Sequence, residues 1–279
     1  MSYRVVIDSC GELTEEMKKS SYFLSAPLIL QVDEDTIVDD ETFDQADFLA
    51  KVAASPNCPK SSCPSPEAYR EAYDCGAEHI YAVTLSAELS GSYNSAMLGR
   101  NLYLEDHPDA KVYVFNSRSA SVGETLIGLK IQECEEAGMS FDEIVETVED
   151  YIARQNTWFV LENLETLRKN GRLSTVKALV ATALKIKPVM GSTDEGTIIQ
   201  LDQASGINRA IVRMVDLIAE KVEQPEEKIL GISHCNCLER AQMVREALLK
   251  KMNFKDVVIL DTAGVSSMYA NDGGIIVVV

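Results

Sequence analysis

The sequence predicts an α/β protein of two domains. An N-terminal, Rossmann-like domain with a parallel sheet is expected over residues 1–155, and a C-terminal α/β domain with a mixed sheet over residues 156–279. Three observations carry this expectation. The first half alternates strand-like and helix-like runs, the pattern of a parallel sheet covered on both faces. In the second half, Asp194-Glu195-Gly196 joins two strand-like runs, a hairpin signal that brings in antiparallel pairing. A chain of 279 residues suits one large domain or two modest ones, and a polar helix end near Arg154 to Thr157 supplies the boundary.

Tyr3 to Ile7 reads as a buried strand, and Thr14 to Ser20 as the helix after it. Ser25 to Val32 is expected as one further strand. The next stretch, from Asp33 to Asp47, is rich in acids but lacks the glycine and spacing of a calcium loop, so a solvated acidic surface is expected. Gln45 to Ala54 and Glu67 to Cys75 have helical spacing; in the second, Ser65 is the expected cap and Pro66 suits the first turn. Strands are expected at His79 to Thr84 and Lys111 to Asn116, with helices at Tyr93 to Tyr103, Glu124 to Glu136 and Phe141 to Arg154.

Beyond the boundary, Trp158 to Leu161 reads as a strand and Leu164 to Asn170 as a short helix stopped by Gly171. A helix is expected at Thr175 to Leu184, then strands at Lys187 to Met190 and Thr197 to Leu201. The helix Arg209 to Val222, the strand Lys228 to Ser233 and the helix Leu238 to Lys251 follow. Strands at Asp256 to Leu260 and Gly274 to Val279 complete the chain, with no internal repeat.

With 46% hydrophobic and 25% charged residues, the composition is that of a soluble globular protein. A net charge of −18 opposes binding to nucleic acid or to an anionic membrane surface. It leaves a bound carboxylate open, because local donors decide that. Met1 runs almost directly into strand-like residues, and the longest apolar runs are too short to span a bilayer. A cytoplasmic protein without membrane insertion is therefore expected. The seven scattered cysteines read as reduced thiols. His234-Cys235-Asn236-Cys237 invites a metal reading, but zinc needs a second ligand pair, and no nearby histidine supplies one. Burial at a strand end is the simpler reading, and no metal is expected.

The chemistry is most legible in Thr84-Leu85-Ser86-Ala87-Glu88-Leu89-Ser90-Gly91-Ser92-Tyr93-Asn94-Ser95-Ala96, where a strand end turns into a helix N-terminus. Free N–H groups and the helix dipole make that place an anion site, with Ser86, Ser90 and Ser92 adding neutral donors. Plain N-capping by serine is the competing reading. A second hydroxyl cluster, Lys60-Ser61-Ser62-Cys63-Pro64-Ser65-Pro66, puts Ser61 and Ser62 on an extended loop with no capping duty. A third lies after the first strand, at Asp8-Ser9-Cys10-Gly11-Glu12. In open α/β sheets, ligands gather at the carboxyl ends of strands.

These pieces resemble the DegV family of bacterial fatty-acid-binding proteins, which includes the acyl-carrying subunit of fatty acid kinase. The resemblance rests on Asp8-Ser9, Ser61 to Pro66 and Leu89-Ser90-Gly91-Ser92-Tyr93. It continues through Asn116 to Gly123, Leu164 to Ser174 with Gly171-Arg172, Lys185 to Val189 and Tyr269 to Gly274, in family order along the whole chain. It implies a long-chain fatty acid as ligand, with its tail in a tunnel of the first domain and its carboxylate at the domain interface. Ser61 and Ser90 would contact the carboxylate, with Ser62 and Gly91 beside them and Ser92 starting the helix. Arg172 would lie near the ligand mouth, where a separate fatty acid kinase docks.

Two departures stand out. Ala204-Ser205-Gly206 replaces the usual Ala-Arg-Thr, and the C-terminal motif has no histidine. That contact would pass to Ser266, Ser267, Tyr269 or Asn271. Neither Gly-x-Ser-x-Gly nor a nucleotide-binding glycine motif is present, so a non-catalytic carrier with no cofactor is expected. The alternatives are an enzyme acting on a small phosphorylated or carboxylated metabolite at the same helix N-terminus, and a lipid-sensing regulatory protein.

Overall fold

The structure, a computed structural model, describes residues 2–173 and 185–279. The first half runs β1 (Tyr3–Asp8), α1 (Glu15–Lys19), β2 (Phe23–Ala26), β3 (Ile29–Val32), β4 (Asp35–Val38), α2 (Gln45–Ala54) and β5 (Lys60–Ser62). It continues with α3 (Pro66–Tyr73), β6 (His79–Thr84), α4 (Ser92–Asp106), β7 (Lys111–Asn116), α5 (Val122–Glu136) and α6 (Phe141–Arg154). β1, β2, β6 and β7 form a four-stranded sheet in the order β2-β1-β6-β7, parallel throughout. Alternation along β1 divides its side chains between two layers. Val5 and Ile7 join Ile127, Ile131 and Ile144 of α5 and α6, while Val6 joins Tyr69, Tyr73 and Ala96 of α3 and α4. Strand-period sequence on one layer and helix-period sequence on the next thus give the α/β sandwich that the alternation predicts.

The second half runs β8 (Thr157–Val160), α7 (Glu165–Lys169), β9 (Ile186–Ser192), β10 (Ile198–Ser205), α8 (Ile207–Lys221), β11 (Ile229–His234), α9 (Leu238–Leu249), β12 (Asp256–Asp261), α10 (Gly264–Ala270) and β13 (Ile275–Val278). Its sheet is mixed, in the order β10-β9-β8-β13-β11-β12, with β11–β12 the parallel pair. One face buries Trp158, Val160, Ile232 and Val277 against α8 and α9. The other face turns Phe159, Leu161, Ile198 and Ile276 toward the first half. The helix expected at Thr175 to Leu184 lies outside the described residues.

Three expectations are corrected. Ser25 to Val32 is two strands in two sheets, because Pro27 has no N–H to donate to a ladder and interrupts the run. Ser61 and Ser62 lie on a strand rather than a loop. β5 pairs antiparallel with β3, Ser61 opposite Leu30, in a three-stranded sheet ordered β4-β3-β5. The acidic stretch is not uniformly solvated, since Asp39 is buried. Its Oδ1 accepts from Gly264 N at 2.7 Å and its Oδ2 from Val265 N at 2.8 Å, so it caps α10 from a distant part of the chain. That helix has little sequence signal of its own: Gly264, Val265, Ser266 and Ser267 favour it weakly, and the distant acid fixes its start.

Candidate functional site

The carboxyl ends of β1, β6 and β7 open toward the inner face of the second sheet, and a cavity lies between them. Leu85, Leu89 and Ala120 come from the first half, while Phe159, Leu161 and Ile198 come from the second. Arg118, Arg172 and, from α10, Val265, Ser266 and Tyr269 also line it. Both halves therefore build the cavity; it is not a tunnel within the first alone.

The two serine segments meet each other next to Leu89, which lines the cavity, but Ser61, Ser62, Ser90, Gly91 and Ser92 do not themselves lie on its wall. A methyl group on Gly91 would touch Cys63 Sγ at 3.3 Å, and Ser95 Oγ donates to Pro64 O at 2.5 Å. Gly91, not a serine, is the N-cap of α4, and no side-chain cap bond is made there. Ser90 Oγ accepts from Ser92 N and donates to Ser92 Oγ, both at 3.2 Å. Ser90 is half-buried, Gly91 exposed, and Ser92 fully buried with its hydroxyl within reach of the Asp8 carboxylate. Ser86 is buried too and donates to Gly196 O at 2.9 Å, tying the β9–β10 turn to the end of β6. Ser61 is half-buried and Ser62 exposed. Ser65 caps α3 as its sequence predicts, accepting from Ala68 N.

Arg172 follows Gly171, whose φ of +78° permits the turn after α7. Its Nε donates to Leu89 O at 3.1 Å and its Nη1 to Asn170 O at 2.5 Å, and the guanidinium lies 5.8 Å from the centre of the Tyr269 ring. Asn170 Nδ2 donates to Pro59 O at 3.0 Å. The turn is thus stitched to both serine segments. Of the four candidates to replace the missing histidine, Ser266 lines the cavity but spends its hydroxyl on Cys10 O at 2.9 Å. Ser267 bonds to Thr262 O, and Asn271, off the cavity, bonds from Nδ2 to Tyr269 O. Tyr269 lines the cavity with a buried hydroxyl that has no partner among the described residues.

Sequence reasoning missed the buried acids that organise the cleft. Glu12 accepts from Ser121 Oγ at 2.8 and 3.0 Å, from Ser233 Oγ at 3.1 Å and from Ala263 N at 3.4 Å, joining β1's loop to β11 and α10. Burial pushes it up to about 7 despite these donors. Asp39 is pushed up to about 6 for the same reason. For Glu12 the available signal was its position just past the buried strand β1; Asp39 follows the largely exposed strand β4, so no such signal marked it. The His234–Cys237 segment is explained by burial. His234 and Cys235 are buried, and Cys237 N donates to His234 Nδ1 at 3.3 Å. All three histidines lie off the cavity wall, with His79 against Glu135 and His107 against Tyr103 O.

The DegV family model matches residues 2–279. The chain belongs to the DegV family. A DegV domain-containing protein of Streptococcus pneumoniae is 33% identical over 281 residues, covering 99% of this chain and 98% of that one. A DegV family crystal structure from Ruminococcus gnavus, refined with vaccenic acid, superposes with a TM-score of 0.97 at 57% identity, over 100% of this chain and 99% of that one. The Streptococcus pneumoniae Fatty Acid Kinase (Fak) B3 protein, loaded with linoleic acid, gives a TM-score of 0.89 at 31% identity, over 100% and 99%. This DegV chain shares with them the parallel four-stranded and mixed six-stranded sheets. Among its described residues, no helix is long and apolar enough to cross a membrane.

Proposed function

We propose that this DegV protein binds a long-chain fatty acid, with the tail between the two sheets and the carboxylate at the edge where Ser61, Ser90 and Arg172 converge. The observation that carries the reading is the cavity itself, walled by apolar side chains from both halves of the chain and bordered by hydroxyl residues such as Ser121, Ser266 and Tyr269 and by two arginines, Arg118 and Arg172. Neutral donors suit a carboxylate beside an apolar tunnel, because they bond the charge without burying a full cation there. The fatty acids in the Ruminococcus gnavus and Streptococcus pneumoniae proteins support the same class of ligand. At about 100 Å³, the cavity is smaller than the roughly 150 Å³ pocket that admits benzene. A long tail therefore enters by parting the side chains of its walls.

The role is that of a carrier rather than a catalyst. The histidines lie off the cavity wall, so no Ser–His or Cys–His pair for nucleophilic chemistry stands there, and Glu12 and Asp39 spend their oxygens on serine hydroxyls and backbone N–H groups. We take residues 1–155 and 156–279 as the two domains, a separate kinase as the acceptor of the bound acid, and the cytoplasm as the location. The test is mass spectrometry of an organic extract of the purified protein, together with thermal shift on added fatty acid. Each buried methylene contributes about 0.8 kcal/mol, so a long-chain acid is expected to survive purification. A lipid-free extract and no thermal shift would overturn the reading.

A further inference from the structure

Behind the α4 N-terminus lies a buried acidic pair that ligand contact alone does not explain. Asp8 ends β1, Glu124 lies in the first turn of α5, and both are 0% exposed. Their carboxylate oxygens and Cys10 Sγ lie within 4.8 Å of one another. Asp8 is well served, accepting from Leu85 N at 2.9 Å and Cys10 N at 3.1 Å, with the Ser92 hydroxyl in reach. Glu124 faces Asp8, and neither of its oxygens meets a donor in bonding geometry. Among the described residues, the titratable groups around the pair are Cys10, Glu12, Asp39 and, from α3, Tyr69, and none of these is cationic.

Two facing carboxylates without a cation do not both ionise in an apolar interior. The backbone donors favour the charge on Asp8. The oxygens without donors favour the proton on Glu124, where a neutral carboxyl can donate to its partner. Burial and the neighbouring acid push the Glu124 carboxyl well above the usual range, and burial raises Asp8 as well.

We propose that Asp8 and Glu124 share a single proton, held on Glu124 and donated to Asp8, and that this positioning pair acts through Ser92 on the anion site at the start of α4. The Ser92 hydroxyl lies within reach of the Asp8 carboxylate, so it can donate there while its lone pairs accept from Ser90 Oγ at 3.2 Å. Ser92 is thereby held inward, and Ser90 is the hydroxyl that turns toward an incoming carboxylate, giving up one long bond to do so. With one proton on the pair, the wall behind the site carries one negative charge rather than two, and repulsion of the bound anion is correspondingly lower. The effect on ligand rests on the fatty-acid reading; the shared proton does not.

Two measurements separate the claims. Infrared spectroscopy of the wild-type protein at about pH 8, above the ordinary carboxylate range, should show the carbonyl band of an un-ionised carboxyl group, and Glu124→Gln should lack it. Absence of that band in the wild type, or an equivalent of tightly bound metal in its place, overturns the proposal whatever the ligand is. Affinity for oleate should fall at least about threefold more in the wild type than in Glu124→Gln across the pH at which the carbonyl band disappears. Glu124→Gln, which keeps one charge at the pair, should show only the smaller fall that Glu12 contributes as it titrates at about 7. Equal slopes in the two proteins overturn the role through Ser92. No oleate binding by either protein, with the band present, overturns that role along with the fatty-acid reading and leaves the shared proton standing.

Discussion

Arg172 Nε donates to the carbonyl of Leu89 at 3.1 Å, joining two cavity-lining residues from opposite halves of the chain. The bond draws the turn after α7 onto the loop that carries Ser90, so one cation both closes the cleft and faces the cavity. Arg168, one turn earlier, is exposed and pairs with Glu165 at 2.8 Å. The basic character of this segment is therefore divided between a wall residue and a surface ion pair.

Substitution should separate the two. Arg172→Ala removes a charged donor from the wall, and fatty acid affinity is expected to fall about ten- to a hundredfold, the worth of a charge-assisted bond. Arg168→Ala loses only an exposed pair worth less than about 1 kcal/mol, and its affinity should stay within about twofold. Equal, small effects at both positions, measured by titration calorimetry, would return Arg172 to a purely surface role.

Ser90→Ala tests the hydroxyl edge. Because Gly91 supplies the cap of α4, the stability loss should be at most about 1 kcal/mol, whereas affinity should fall about tenfold or more. A lower melting temperature with unchanged affinity would mean that the hydroxyl serves only the local turn.

Tyr269→Phe gives a test with opposite signs. The buried hydroxyl has no partner among the described residues, so removing it should leave the ligand-free protein as stable as before, or more so, because an unsatisfied buried group costs about 1–3 kcal/mol. If that hydroxyl donates to the carboxylate, affinity falls in the same variant. Thermal melts with and without oleate read both quantities; unchanged affinity removes Tyr269 from the head-group set.

The buried acids set the pH dependence of stability. Glu12 is pushed to about 7 and Asp39 to about 6, against unfolded values near 4.3 and 3.9. A raised folded value means that the native state binds the proton more tightly, so the contribution is fully present below the unfolded value and lost as pH rises through the folded one. The melting temperature should therefore rise as pH falls from about 8 to about 5. Glu12→Gln should flatten the upper part of that rise. A melting temperature that increases steadily toward pH 8 in the wild type would contradict these assignments.

Asp39→Ala should be severe for a different reason. It leaves Gly264 N and Val265 N without their acceptor at the start of α10. A cap loss of about 1–2 kcal/mol adds to the cost of buried, unpaired donors. Denaturant melts should show a loss of at least about 2 kcal/mol; a loss below about 0.5 kcal/mol would mean that α10 is held by its apolar contacts alone.

The sequence by itself determined the elements whose stability is local or periodic. The apolar run of β1, the Ser65-Pro66 start of α3, the stop at Gly171 and the Asp194 to Gly196 turn are written in consecutive residues, and each appears where its pattern predicts. The hydroxyl clusters themselves were legible for the same reason, since Ser61 and Ser62, and Ser90 and Ser92, are close in sequence. Tertiary structure alone decided what depends on distant partners. It split Ser25 to Val32 between two sheets at Pro27, paired Ser61 with Leu30, and formed α10 on Asp39. It also buried Asp8 against Glu124 and set Arg172 on the Leu89 carbonyl. A carboxylate reads as a solvated charge until the fold removes its water, and only the fold says which donors replace that water.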